Sequence, residues 1–322
     1  MKHDNVFVLI LNWKGINDTI QCVEGVLSLQ PKSKTIVVID NDSRDNSLLI
    51  LRSHFQKRNL KMQLLNEDQI SNDYSGFNTS TEIVLIQNYR NYGFAGGNNI
   101  GIIYAKKMKA DYIWILNNDA IPENGSLLAL LSVGKSDINI GFVGSVILYK
   151  DQNSIINCFG GARIYPLLGI SKLVLKNVNI NALEKIKVPE IDYISGASML
   201  LNCNVLNDVG LMDDKYFMYS EEKDWQMRAK KKIWKVAVSK NSYVYHDKGG
   251  STKNTRELYY YYSNRSTMIY TKKFHGLLIT IVALVNLSVI TIIKNLKCYK
   301  NIKYGLIGIY DGFKHNMCRY IN

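Results

Sequence analysis

Paired cysteines are missing from this chain, prolines are few, and acidic residues nearly vanish toward its end. The five cysteines among 322 residues (22, 158, 203, 298 and 318) are scattered without a CxxC spacing. That excludes a disulfide scaffold and a thiolate metal cluster, and it fits reduced thiols in a cytoplasmic compartment. Only 4 residues are proline while 47% are apolar, so the chain is globular and not disordered. No small-residue cleavage site follows the apolar start "NVFVLILNW", which reads as a first buried strand and not as a signal peptide.

The shortage of acid is local. Residues 1–227 hold 24 Asp and Glu against 22 Lys and Arg, whereas residues 228–322 hold 3 against 18, within a net charge of +13. The C-terminal third is therefore the surface that meets something anionic, nucleic acid or lipid. The uncharged run "LLITIVALVNLSVITII" (277–293) favours lipid. As a helix it is on the order of 25 Å long, short of a comfortable span. Lys272 and Lys273 precede it, and Lys294, Lys297, Lys300 and Lys303 follow. A true span would export that Lys-rich tail against the positive-inside bias, so a surface-lying or shallowly inserted segment is expected. A buried helix of a soluble domain is the alternative.

What is present is a repeating strand–helix pattern. Strands are expected at 5–13, 34–43, 82–88 and 111–119. Helices are expected at 18–30 (with Asp18 as N-cap), 45–58, near 98–108 and at 123–133. The segment 69–81 reads as a polar loop insertion. This is the βαβ signature of an open, largely parallel sheet, whose ligands sit at the carboxyl ends of the strands. Polar residues gather there: Asn12 after the first strand, Asp40 to Asp42 after the second, Asn117 to Asp119 after the fourth.

The densest acidic cluster is "YSEEKDWQMR" (219–228), with Glu221, Glu222 and Asp224 within four positions. Crowded carboxylates raise one another's pKa, which suits a general base. The bland reading is a solvated helix N-terminus whose acids complement the macrodipole. Asp224 and Arg228 stand four apart, the spacing of an intrahelical ion pair.

Seven segments, in order, "VLILNWKG", "VVIDNDSRDNS", "NYGFAGGNN", "WILNNDA", "ISGASMLL", "GLMDDKYFMYSEEKDWQMR" and "VYHDKGGST", resemble the family 2 glycosyltransferases of the GT-A fold. The likeness covers roughly residues 5–275 and is nearest the rhamnosyltransferase and galactofuranosyltransferase branch of bacterial surface polysaccharide synthesis. The implied fold is α/β, a mixed, mostly parallel sheet flanked by helices. Residues 1–256 would form the catalytic domain (1–120 nucleotide-binding, 121–256 acceptor-binding), and 257–322 a basic, hydrophobic, membrane-associating helical region.

The resemblance also implies roles. Leu11, Asn12, Asp40, Asn91, Gly97, Asn98, Asn117 and Asn118 would bind the nucleotide sugar, Asp40 by accepting the N3–H of uracil or thymine. Asp119 and His246 would hold Mn²⁺ or Mg²⁺, Asn117 standing where the first acid of a DxD element often sits. Glu222 would be the base and Glu221 would orient the acceptor or the base, while Gly196, Asp213 and Asp224 would face the acceptor. The tyrosine-rich "ELYYYYSNRSTMIYTKKF" (257–274) would lie at a headgroup interface.

The implied reaction is an inverting transfer of a sugar, L-rhamnose from dTDP-rhamnose before a UDP-hexose or UDP-galactofuranose, onto a lipid-linked oligosaccharide. It would run at the cytoplasmic face of the bacterial plasma membrane, with an anionic membrane surface and a homodimer among the partners, and no nucleic acid. No Q-x-x-R-W element is present, which favours single or few additions over a long polymer. The competing readings are a sugar nucleotidyltransferase, which would need a phosphate loop that "LNWKGINDT" does not supply, and a degenerate membrane-docked scaffold.

Overall fold

The computed structural model describes residues 4–32, 34–72, 76–78, 80–246, 256–314 and 318–319. Among the described residues the strands run in chain order: β1 (Val6–Asn12), β2 (Lys34–Asp40), β3 (Met62–Asn66), β4 (Ile83–Gln87), β5 (Tyr112–Asn117), β6 (Ala120–Pro122), β7 (Ile140–Tyr149), β8 (Gln152–Phe159), β9 (Gly161–Tyr165), β10 (Ile170–Leu173), β11 (Tyr193–Ile194), β12 (Ser198–Asn202) and β13 (Lys235–His246). The α-helices are α1 (Ile16–Ser28), α2 (Ser47–Gln56), α3 (Glu67–Ser71), α4 (Gly93–Lys107), α5 (Ser126–Gly134), α6 (Val205–Val209), α7 (Glu221–Lys230), α8 (Arg256–Lys294) and α9 (Tyr299–Lys314).

The main sheet has the order β3-β4-β2-β1-β5-β12-β7-β13-β6, with β8 also on β7. The first five strands are mutually parallel, and the reversal comes at β12, antiparallel to both β5 and β7. Continuous apolar strands such as "VFVLILN" and "KTIVVID" suit a sheet buried on both faces. One face packs Leu9, Ile39 and Ile86 against α4 and α7, and the other packs Ile10, Val38 and Leu116 against α1, α2 and α5. Each such side chain, fully buried, contributes roughly 1.5–3 kcal/mol relative to exposure. The register aligns Gln87 with Asp40, Asp40 with Asn12, and Leu11 with Asn117. Three of the polar strand ends anticipated from the sequence thus lie side by side on one edge.

Several expectations shift. Strand β3 had no counterpart in the sequence reading, because "MQLLN" is short and half-polar. The polar stretch at 69–81 begins inside α3, which a reciprocal Asn66–Gln69 capping box starts; Asp73 to Ser75 and Thr79 lie outside the described residues. Asp18 is not the cap of α1, which starts at Ile16 after Gly15. Helix α4 starts at Gly93, so "GFAGGNN" is helix and not an open glycine loop.

The α8 segment is not a single rod. Gly276 has φ 78° and ψ 174°, and the two halves fold back on one another: Asn264 donates to Thr291 Oγ1 at 3.0 Å and to Gly305 O of α9 at 3.1 Å. The first half packs onto the body that carries the sheet. Arg265 Nη1 donates to Lys215 O, and Ser266 Oγ donates to Met218 O. The expected boundary at residue 256 therefore does not separate two packing units. Nor do the tyrosines form a headgroup belt: Tyr261 and Tyr262 are buried, the latter stacked on Phe217, and Tyr259 alone of the four-residue run is largely exposed.

The second half carries an inverted pattern. Thr280, Ala283, Leu287 and Thr291 face inward, whereas Leu277, Leu278, Ile281, Val282, Val285, Val289, Ile292 and Ile293 are exposed. By length and composition α8 is apolar enough to cross a membrane. Lys294, Lys297, Lys300 and Lys303 beyond it are exposed. Lys272 and Lys273 are exposed too but bond to the protein, to Phe313 O and to two carboxylates.

Candidate active site

Asp40 is the hub of the sheet edge. Its Oδ1 accepts from Asn12 Nδ2 at 2.7 Å and Ser43 Oγ at 2.5 Å, and its Oδ2 accepts from Ser43 N and Gln87 Nε2, both at 3.1 Å. Asn12 is itself buried and accepts from Thr19 Oγ1 at 2.7 Å. A carboxylate offers about four acceptor positions, and here all are taken in a side chain only 3% exposed. A base contact of the kind expected for Asp40 would have to displace one of these bonds, and Asn12 orients Asp40.

The neighbouring Asn41, to which the sequence reading gave no role, locks the next segment. It donates to Asn91 Oδ1 at 2.9 Å and Gly93 O at 3.0 Å, and accepts from Asn88 Nδ2 and Tyr92 N. Its signal was only its place in "DNDS". Asn91 also caps Gly93 N at 2.9 Å, so its carbonyl is engaged within the protein. Gly97 and Asn98 are not open to a ligand. A Cβ at Gly97 would stand 2.6 Å from Leu11 Cδ1, and Asn98 is buried and donates to Phe94 O at 2.9 Å. Both are positions where α4 closes onto β1, which corrects their expected ligand contacts. Leu11 is half-buried beneath them.

Beyond β5 the chain brings together Asn117, Asp119 and His246. His246 Nε2 lies 3.0 Å from Asp119 Oδ1 and 3.3 Å from Asn117 Nδ2. The antiparallel pairing of His246 with Ala120 makes this meeting. Two ligands at right angles on a cation with bonds near 2.1 Å stand about 3 Å apart, so the carboxylate and imidazole fit one divalent ion. Among the described residues no group of three His, Cys, Asp or Glu side chains could hold a metal. Asp247 to Thr252 of the same motif lie outside the described residues. Asn118 turns away, donating to Thr19 Oγ1 at 3.1 Å. Cys22 donates to Asn117 O, and burial followed by the nearby Asp119 charge pushes its thiol well up, so it stays protonated.

Helix α7 follows Ser220, its N-cap residue, which is held at φ 69°. Glu221 is buried and Glu222 half-buried, and the Oε2 of each has neither solvent nor a partner. That excludes the solvated helix start. Burial pushes both carboxyls up, and the Glu222 charge raises Glu221 further. Gly196 leaves the space above them: a Cβ there would meet the Phe94 ring at 3.2 Å and Glu222 Cβ at 4.0 Å. Glu222, Glu221, Gly196 and Phe94 therefore share one locale.

Asp224 does not belong to it. Its side chain is wholly buried, accepting from Tyr216 Oη at 2.9 Å and pairing with Arg228 at 2.6 Å and Lys273 at 2.6 Å. The acceptor-binding role expected for it is corrected to a structural one; the Arg228 pair is the one its spacing indicated. Asp213 shares Lys273 at 3.0 Å, and although burial opposes it, that bond holds its carboxyl below the usual range.

The sequence profile of glycosyl transferase family 2 matches residues 8–157, which carry β1 to β7 and both Asp40 and Asp119. These residues are a family 2 glycosyltransferase domain. Rhamnosyltransferase WbbL of Escherichia coli (strain K12) is 29% identical over 149 residues, 42% of this chain and 54% of that protein. The low-salt glycan biosynthesis hexosyltransferase Agl10 of Haloferax volcanii is 22% identical over 193 residues, 51% of this chain and 58% of that one. The chain thus matches a little over half the length of these curated relatives. Among solved structures, GalNAc-T7 with UDP, GalNAc and Mn²⁺ superposes with a TM-score of 0.58 at 16% identity, covering 97% of this chain and 57% of that one. The mannosyltransferase PcManGT of Pyrobaculum calidifontis, with GDP-Man and Mn²⁺, gives 0.58 at 10% identity, covering 97% and 88%. At such identities these neighbours establish the fold, a GT-A sheet around the family 2 domain.

Proposed function

We propose that the protein is an inverting, metal-dependent glycosyltransferase that adds a sugar to a lipid-linked saccharide at a membrane surface. The carrying observation is the buried Glu221–Glu222 pair, whose Oε2 atoms lack partners, in a chain that also joins Asp119 to His246 and whose residues 8–157 match family 2. L-rhamnose from a dTDP donor is the sugar proposed, on the likeness to WbbL; UDP-hexose is the second donor to test. Bacterial surface polysaccharide assembly at the cytoplasmic face is the setting this suggests.

Asp119 and His246 would hold a divalent cation, which when bound neutralises the charge on the departing diphosphate. Glu222 takes the proton of the acceptor hydroxyl as its oxygen bonds to the anomeric carbon. The bond from that carbon to the phosphate oxygen breaks, and the nucleoside diphosphate leaves with the electron pair. Attack opposite the leaving group inverts the centre. Burial supports the base role, because a carboxylate stripped of water holds a proton more strongly. Glu221 fixes Glu222, and Gly196 with Phe94 bounds the space for the sugar.

Calorimetric titration with dTDP, UDP and GDP, each with and without Mn²⁺, tests the donor half. Metal-dependent binding of dTDP or UDP, absent in Asp119→Ala, is expected. Turnover should fall about 10²–10⁴-fold in Glu222→Gln. Silence toward every nucleotide would overturn the reading.

A further inference from the structure

Lys223 is a largely buried residue whose ammonium keeps a little contact with solvent. It is 4% exposed, and among the described residues no oxygen accepts from its ammonium. Its Nζ instead lies 4.1 Å from the ring centroid of Tyr270 and 6.0 Å from that of Tyr193. Aromatic faces offset only part of the cost of desolvating a cation. Glu221 and Glu222 act on it through space and form no ion pair with it. A deficit remains that an acceptor of negative charge would fill.

Two further groups on the same wall lack partners. The Tyr270 hydroxyl and His275 Nε2 are both shielded from solvent with nothing to bond, and their rings stand 5.7 Å apart. Lys231 adds positive field at His275. An ammonium, a phenol and an imidazole are all able donors, and a phosphoryl group offers several strong acceptor oxygens.

Position gives the cluster its meaning. Lys223 follows the base candidate Glu222 in the chain. His275 immediately precedes Gly276, where α8 folds back and the exposed aliphatic face starts with Leu277 and Leu278, 59% and 77% exposed. Base, donor cluster and aliphatic face therefore succeed one another, as do hydroxyl, phosphoryl and lipid in a lipid-linked saccharide. The geometry points to a phosphoryl site for the acceptor: Lys223, Tyr270 and His275 hold the phosphoryl group that joins saccharide to lipid, with the saccharide toward Glu222 and the chain along residues 277–293. This deepens, and rests on, the glycosyltransferase reading above.

The test uses the full chain in mixed micelles, with EDTA present so that a metal-bound diphosphate position does not compete. Binding of farnesyl diphosphate and of farnesol is followed by tryptophan fluorescence. The wild type should bind the diphosphate at least tenfold more tightly. That ratio should fall below threefold in Lys223→Met, drop measurably in Tyr270→Phe, and largely return in Lys223→Arg. No preference in the wild type, or an undiminished one in Lys223→Met, overturns the site. Flotation on phosphatidylglycerol against phosphatidylcholine vesicles separates the two sources of phosphate. If Lys223→Met abolishes the phosphatidylglycerol preference as well, the group held is a bilayer headgroup and the acceptor assignment fails. Nucleotide binding with Mn²⁺ reports folding of each variant; should Lys223→Met not fold, Tyr270→Phe decides. A wild type that binds no nucleotide yet prefers the diphosphate defeats the glycosyltransferase reading and leaves the anion site standing.

Discussion

Lys273 of α8 pairs at 2.6 Å with Asp224 of α7, whose side chain is wholly shielded from water. The ion pair ties the helix that carries the candidate base to the helix that leads to the exposed aliphatic face. It works with Arg265 and Ser266, which hold the backbone at 215–218 just ahead of α7.

Lys273→Met should therefore cost about 1.5–3 kcal/mol, the range for a hydrogen bond to a buried charge, read by urea denaturation. Asp213→Asn, which removes the more exposed partner, should cost under about 1 kcal/mol. Equal losses would show that Asp224 does not depend on Lys273.

The two glutamates set a pH dependence. Because burial, with the Glu222 charge behind it, raises Glu221, its protonated form is the one the fold favours. The stability it contributes is full below the unfolded value near 4.5 and is lost as pH rises through the folded one. Glu221→Gln should raise the Tm by about 2–4 °C at pH 8, and give no gain at pH 4. Lys223 has the opposite sign: burial lowers it to about 8, so its contribution is present above pH 10.5 and lost as pH falls through 8. Transfer activity should rise with pH along a limb lying above the ordinary carboxylate range, measured as kcat/KM with the raised Glu222 as base.

Glycines on two elements should respond differently to alanine. At Gly97 the added methyl meets Leu11 and the Asn41 amide at 2.6 and 3.1 Å, an overpacking that costs about 1–3 kcal/mol. At Gly125 no atom lies within 4 Å but φ is 90°, so only backbone strain of about 1–2 kcal/mol applies. Crystal structures and denaturation of both variants check the distinction: Gly97→Ala should displace Leu11, and Gly125→Ala should displace nothing.

Leu278→Asp with Val285→Asp should abolish flotation on anionic vesicles while leaving the Tm within about 2 °C, since surface substitutions usually fall within ±0.5 kcal/mol. A Tm falling by about 10 °C or more would mean that these side chains are covered within the folded protein.

The sheet was legible where strands are long and apolar: β1, β2, β4 and β5 were each expected near their observed limits, because burial on both faces leaves a continuous signal. β3 was lost to its brevity. The start of α4 came five residues earlier than expected, because its glycines serve close packing on Leu9, Leu11 and Ile39. Among the site residues, spacing revealed the Asp224–Arg228 pair, but it carries no information on what approaches from α8. Lys273 and the Tyr270–Lys223 stack are therefore visible only in three dimensions. The saturation of Asp40 likewise comes from Ser43 and Gln87, the latter on a different strand.

Asn264 bonds both to Thr291 across the fold at Gly276 and to Gly305 of α9, and Gly308 lets α9 press against the backbone of Tyr261. The break in α8 is thereby splinted and is not a free joint. With residues 277–293 seated on a bilayer, such a mount would hold Glu222 at one height above it, like a fixed gantry. Acceptors whose reacting hydroxyl stands at that height would be served, and shorter or longer ones would miss, so the enzyme would measure its substrate before it recognises it.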